Sequence, residues 1–145
     1  NQFNLEVGWR RGPYWIGAEY VSSKVDSPAS GTLDFDGYHI FGNWVLTGEV
    51  RNYNKKSGIL TNVPVARSVY QGGKGTWELS TRWSSIDLTD GLVDGGEMDI
   101  FSLGVSWWLS PIFNVNMNYR YIWNDRGGFN GESGGFNSRI VLVLE

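Results

Sequence analysis

Seven charged side chains follow a two-residue rhythm. Glu6, Arg10, Glu19, Glu78, Arg82, Arg120 and Arg139 each fall on the polar side of an alternating stretch, opposite apolar neighbours. Guanidinium groups held this way can meet carboxylate or phosphate through paired N–H donors. Glu6, Glu19 and Glu78 offset that positive field, and the spacing favours some of them as braces for the arginines over direct contact with a solute. No catalytic constellation accompanies these charges. His39 is the single histidine and cysteine is absent, so a zinc site has too few ligands. No Gly-x-Ser-x-Gly motif and no phosphate-cradling loop of the nucleotide-binding type occurs. Asp94 with Glu97, and Asp87 with Asp90, could hold Ca²⁺ weakly, but they read better as solvated turn residues. The sequence therefore predicts neither an enzyme nor a cofactor site.

The elements that must position these charges are β-strands. Residues 113–123 show the pattern most cleanly. Phe113, Val115, Met117, Tyr119, Tyr121 and Trp123 alternate with Asn114, Asn116, Asn118 and Arg120. Period two marks a strand with one apolar and one polar face. The same reading predicts strands over 2–11, 14–24, 33–46, 76–88, 98–109, 113–123 and 135–144. Gly12-Pro13 and Ser110-Pro111 read as tight turns, and 25–32, 89–97 and 124–134 as long polar loops. Residues 47–73 alternate weakly and read as a long connection, with a short strand at 49–54 as an option. Composition agrees with an all-β chain: 145 residues with 20 Gly, 8 Trp, 7 Tyr and 7 Phe. A net charge of −3 gives no basic patch for nucleic acid. The N-terminus shows no secretory leader, so the chain reads as mature, trimmed or internal. Its longest aliphatic run, 140–144, is far below the ~20 residues of a membrane helix.

Two readings of the apolar face compete. In a soluble barrel or sandwich it points inward; in a membrane barrel it points at lipid and the polar face lines a lumen. Two features favour the membrane. Trp9, Tyr14, Tyr20, Tyr38, Trp44, Trp77, Trp83, Trp107, Tyr121 and Trp123 cap the apolar face near strand ends, as interfacial aromatics do. Turns also alternate short and long, as in outer-membrane barrels. Charge on the apolar face is confined to strand ends, at Arg11, Asp34, Asp36 and Asp99. This fits a cost of roughly 2–4 kcal/mol for a cation facing lipid at the midplane. Glycines of the polar face (Gly8, Gly17, Gly37, Gly104) are expected to leave room in the lumen.

An ordered set of short motifs spans nearly the whole chain. Gly12-Pro13 precedes Gly17-Ala18-Glu19-Tyr20, then Asp36-Gly37-Tyr38, Leu46-Thr47-Gly48-Glu49 and Arg51-x-Tyr53. Gly75-Thr76-Trp77-Glu78-Leu79-x-x-Arg82-x-Ser84-x-x-Asp87-Leu88 follows, then Trp107-Trp108-Leu109-Ser110-Pro111, Asn118-Tyr119 and Phe136-x-x-Arg139. This set resembles the C-terminal portion of the phosphate-selective porin O and P family. Ser110 stands where the family usually has Asn, and Leu144 where it tends to end in Phe. The resemblance implies a bacterial outer-membrane location and a single β-barrel region over 1–145 that is part of a sixteen-stranded trimeric porin. It implies outer-membrane lipid around the wall, a trimer or another chain completing the barrel, and passive diffusion of small solutes. Anions such as phosphate are among those solutes, but membership does not by itself imply phosphate. The alternative is a small closed eight-stranded barrel with a structural or partner-binding role, its eighth strand drawn from 47–73.

Overall fold

A computed structural model describes residues 1–56 and 58–142. The expected strand end at Leu144 therefore lies outside the described residues. Seven strands form one antiparallel meander: β1 (Gln2–Arg11), β2 (Tyr14–Ser27), β3 (Gly31–Val45), β6 (Thr76–Asp90), β7 (Val93–Ser110), β8 (Phe113–Arg126) and β9 (Phe129–Leu142). Two short strands, β4 (Tyr53–Asn54) and β5 (Ile59–Leu60), pair only with each other. A single 3-10 turn spans Val69–Gln71. Among the described residues no helix is long and apolar enough to cross a membrane.

The seven wall strands match the sequence reading, but three expected loops do not exist as loops. Residues 25–32, 89–97 and 124–134 are mostly strand, and the chain reverses through Pro28–Ser30, Gly91-Leu92 and Gly127-Gly128. Their polar, Gly-rich composition mimics a loop because these hairpins run on beyond the apolar band. The sharpest reversal needs positive φ at both central residues, and Gly127 (φ 59°) and Gly128 (φ 79°) supply it. Leu88 of β6 lies opposite Gly95-Gly96 in a bulge between the pairs Asp87–Glu97 and Thr89–Asp94. At the other end the turn sits at Pro111-Ile112, one residue later than expected. Leu109 bulges just before it, between the pairs Trp108–Asn114 and Ser110–Phe113.

Residues 47–73 form the long connection that the sequence predicts, and among the described residues the optional eighth strand of the alternative reading does not join the sheet. β3 pairs directly with β6 over Asp36–Val45, so residues 46–75 leave the sheet instead of joining it. Weak alternation and Pro64 deprive that segment of a face to bury or a ladder to complete. The closed eight-stranded reading loses its wall on this account. β1 and β9 are the edges and do not touch. They also run in the same direction, so antiparallel closure requires an odd number of further strands.

Register sorts every side chain onto one of two faces. One row runs Trp9–Ile16–Gly42–Thr81–Leu103–Tyr119–Phe136 across the whole sheet. Its neighbour on the opposite face runs Arg10–Trp15–Asn43–Ser80–Gly104–Asn118–Asn137. We call these the aromatic face and the polar face. The sheet is a single layer, and its buried apolar side chains among the described residues are Leu33, Val45 and Val63. A self-contained soluble domain needs a second layer over its apolar face. None covers this one: Leu5, Val7, Ile16, Ile40, Leu103 and Ile140 all stand exposed.

Two of the four glycines marked on the polar face, Gly8 and Gly17, do not serve as expected. A Cβ on Gly8 would lie 2.5 Å from Cη2 of Trp15, and one on Gly17 would lie 2.5 Å from Cζ of Phe41. These glycines make room for aromatic rings folded diagonally across the strand pair, not for a lumen. Gly17→Ala should displace the Phe41 ring and cost about 1–2 kcal/mol as overpacking. Urea unfolding of the reconstituted intact protein checks this, with Gly135→Ala as a neutral control, since nothing lies within 4 Å of Gly135.

Candidate functional site

All seven charges singled out in the sequence lie on the polar face. Arg82 and Arg120 share the row Gly8–Gly17–Phe41–Arg82–Ser102–Arg120–Gly135. Two strand spacings separate them, about 10 Å. Glu6, Glu19 and His39 are consecutive in the row beside it. Glu78 and Arg139 lie in the row Val45–Glu78–Ser106–Asn116–Arg139 nearer the short turns.

The expected Arg–Glu bracing is largely not found. Among the described residues Arg82, Arg120 and Arg139 form no ion pair, and the Nε of Arg82 donates to the Ser84 hydroxyl at 2.8 Å. Glu19 instead faces Nδ1 of His39 at 3.7 Å, and the His39 ring stacks on Phe41 at 5.8 Å. Glu78 is held by Arg51, with Nη2 to Oε2 at 2.6 Å, and Glu78 is almost fully buried. Arg10 donates through Nη1 to the Arg51 carbonyl at 2.6 Å. The bracing thus comes from residue 51, outside the wall, and Arg82, Arg120 and Arg139 form no ion pair among the described residues.

Residues 46–75 accordingly fold back onto the polar face at the short-turn end. Thr47 accepts from the Trp77 backbone N–H at 3.2 Å and donates to Glu49. The Thr76 hydroxyl is shared between Glu49 Oε1 at 3.1 Å and the Pro64 carbonyl at 3.0 Å. Thr76 is completely buried. The motif residues Thr47, Glu49 and Arg51 are therefore stitches between the start of the connection and the start of β6. Sequence reading took them only as resemblance, because no alternation marks their role.

Neutral polar groups fill the space between the arginines. Asn116 Nδ2 donates to Asn114 Oδ1 at 2.6 Å, and the Ser106 hydroxyl donates to Asn116 Oδ1 at 2.7 Å. This ladder was visible in the 113–123 pattern, although it carries no charge.

The ten aromatics expected at the interface all stand on the opposite face, Tyr20 beside Tyr38. Trp9, Tyr14, Trp44, Trp77 and Trp107 gather toward the short turns, and Tyr38, Trp83, Tyr121 and Trp123 toward the long hairpins. Tyr14 stacks on Trp44 (5.6 Å) and Trp77 on Trp107 (5.0 Å), while Trp83 (5.4 Å) and Tyr121 (4.7 Å) meet Trp123. On β8 the apolar run from Phe113 to Trp123 spans about 34 Å of strand, or roughly 25 Å once tilted by 40–45°. Beyond it the same face turns acidic, with Asp36, Asp87, Glu97 and Asp125 in one row.

Comparison with known proteins agrees with this geometry. The family model described as phosphate-selective porin O and P matches residues 1–137. A protein of Caulobacter vibrioides, described only as uncharacterized, is 28% identical over 119 residues. That match covers 81% of this chain and 23% of the Caulobacter protein, so the chain spans about a quarter of the relative's length. With a match over most of its residues, a seven-stranded antiparallel sheet and the family's motifs at its seams, this chain belongs to the phosphate-selective porin O and P family.

Proposed function

We propose that this chain forms wall of an outer-membrane diffusion channel, with the Arg/Asn/Ser face toward the aqueous pore and the Trp/Tyr/Leu face toward lipid. One observation carries the reading: a single-layer sheet of seven strands whose aromatic face stands exposed with no second layer over it, opposite a face that holds all seven charges marked in the sequence. Such a sheet is stable only between hydrocarbon and water, with its edges paired to further strands. The edges here are β1 and β9, and the rest of the barrel continues from them. Segment 46–75 narrows the pore from the short-turn side, because it lies on the pore-facing surface near Arg10 and Glu78.

Arg82, Arg120 and Arg139 set the selectivity. Unpaired guanidinium groups along the pore raise the local anion concentration and offer forked donors to oxyanions. Glu78 adds no opposing field of its own, since Arg51 neutralises it beneath the folded segment. The reading thus favours small anions, inorganic phosphate among them. In planar bilayers the intact protein should give stepwise conductance with a reversal potential of anion-selective sign under a KCl gradient. Arg82→Gln with Arg120→Gln should lower the anion-to-cation permeability ratio several-fold. A silent bilayer, or cation selectivity unaffected by these substitutions, overturns the proposal.

A further inference from the structure

The pore-facing surface is not polar throughout. The row beside Arg82 and Arg120, on the long-hairpin side, carries Ile100 and Ile122, and the row after that carries Ile86 and Met98. Ile86 and Leu88 are 36% and 39% exposed on the face that otherwise displays Asn, Ser and Arg. On β2, β3 and β6 a cleft of about 470 Å³ opens beside Ile86, with Arg82, His39 and Glu19 toward one end and Val21, Phe35, Ile86 and Leu88 toward the other.

We propose that this cleft and the adjoining arginines form a subsite for organic anions that pair a carboxylate with an apolar body, such as aromatic carboxylates. The inference rests on the pore-facing assignment made above and names the solute class that surface prefers. A wall built only for small inorganic anions gains nothing from apolar side chains next to its cations, because such solutes hold their water and bury no hydrocarbon. An amphiphilic anion uses both parts. Its carboxylate takes the forked donors of Arg82, whose side chain makes no ion pair in the described residues. Its ring or chain lies over Val21, Ile86 and Leu88 and removes their surface from water. Arg120, one strand beyond Ser102, gives the carboxylate a second station about 10 Å away. Glu19, held near His39 two strands from Arg82, repels the anionic end toward Arg82. Binding that is specific yet shared between two stations suits a channel, in which a solute must also leave.

The test compares two carboxylates of equal charge in the intact protein. Benzoate and acetate are titrated against the chloride current in planar bilayers. Benzoate should half-block the current at about tenfold lower concentration than acetate, the gain expected from partial burial of one ring. Ile86→Thr and Val21→Thr keep β-branching for the strand, and each should shrink the benzoate-to-acetate ratio toward one. Arg82→Gln should weaken block by both anions together. Equal block by benzoate and acetate in a conducting wild-type channel ends the subsite inference and leaves the channel standing. A bilayer that shows no chloride current at all removes the channel reading itself.

Discussion

Leu103→Arg is expected to destabilise the membrane-embedded protein by about 2–4 kcal/mol, whereas Asn137→Arg should cost about 0.5 kcal/mol or less. The two positions lie at nearly the same level of the sheet. Leu103 shares a row with Tyr119 and Phe136, and Asn137 lies in the next row, opposite Asn118. They differ in face. Leu103 is central in β7, with Trp107 four residues to one side and Asp99 four to the other, so a charge there cannot easily reach either interface. It is also 41% exposed within this chain, so whatever medium lies outside the sheet touches it directly. Asn137 stands exposed among Asn and Gly on the polar face and already meets water. Urea titration of the intact protein folded in lipid vesicles measures both. Equal costs would mean that neither face contacts hydrocarbon. A larger cost at Asn137 would mean that the faces are inverted. This comparison tests the assignment on which the pore residues depend.

The wall was legible in the sequence because its physics is strictly local. A strand between oil and water must alternate, and alternation survives reading without any knowledge of partners. Each expected wall strand exists, and the seven charges and the aromatics marked in the sequence separate onto opposite faces. What failed is where alternation stops. Past Lys24, Leu88 and Trp123 the apolar band ends, so composition turns polar while the ladders continue to Ser27, Asp90 and Arg126. Polarity there reflects the surroundings of the strand and not its conformation.

Side-chain partners were less legible still. Glu78 and Arg10 carry the same signature as Arg82 and Arg120, yet a backbone segment folds over the first two and leaves the others open. Nothing in period-two patterning reports a crossing of twenty-seven positions such as that from Arg51 to Glu78. The glycines show the same limit, since Gly8 and Gly17 answer to Trp15 and Phe41 on the neighbouring strand.

Glu78→Ala should release residues 46–75 from the polar face at a local cost of about 3 kcal/mol, the lower end for orphaning one member of a buried pair. The lower end applies because the Arg51 side chain keeps 25% of its exposure, while that of Glu78 keeps only 5%. Without the carboxylate, the Arg51 guanidinium is left near Arg10, which already donates to its carbonyl. The wall should hold, because its ladders do not pass through residue 51. A loss confined to one segment appears as local opening. Trypsin cleavage after Lys55 or Lys56 in the reconstituted intact protein should then quicken by about a hundredfold, while the strands stay protected. Single-channel conductance should rise as the segment swings off the pore-facing surface. Arg51→Ala should open it as well, since it strands the more deeply buried partner. The double variant should recover part of the loss, because neither charge then remains alone. Unchanged cleavage and conductance in Glu78→Ala would show that Thr47, Glu49 and Thr76 hold the segment without this ion pair, and would remove Arg51 from any part in setting the width of the passage.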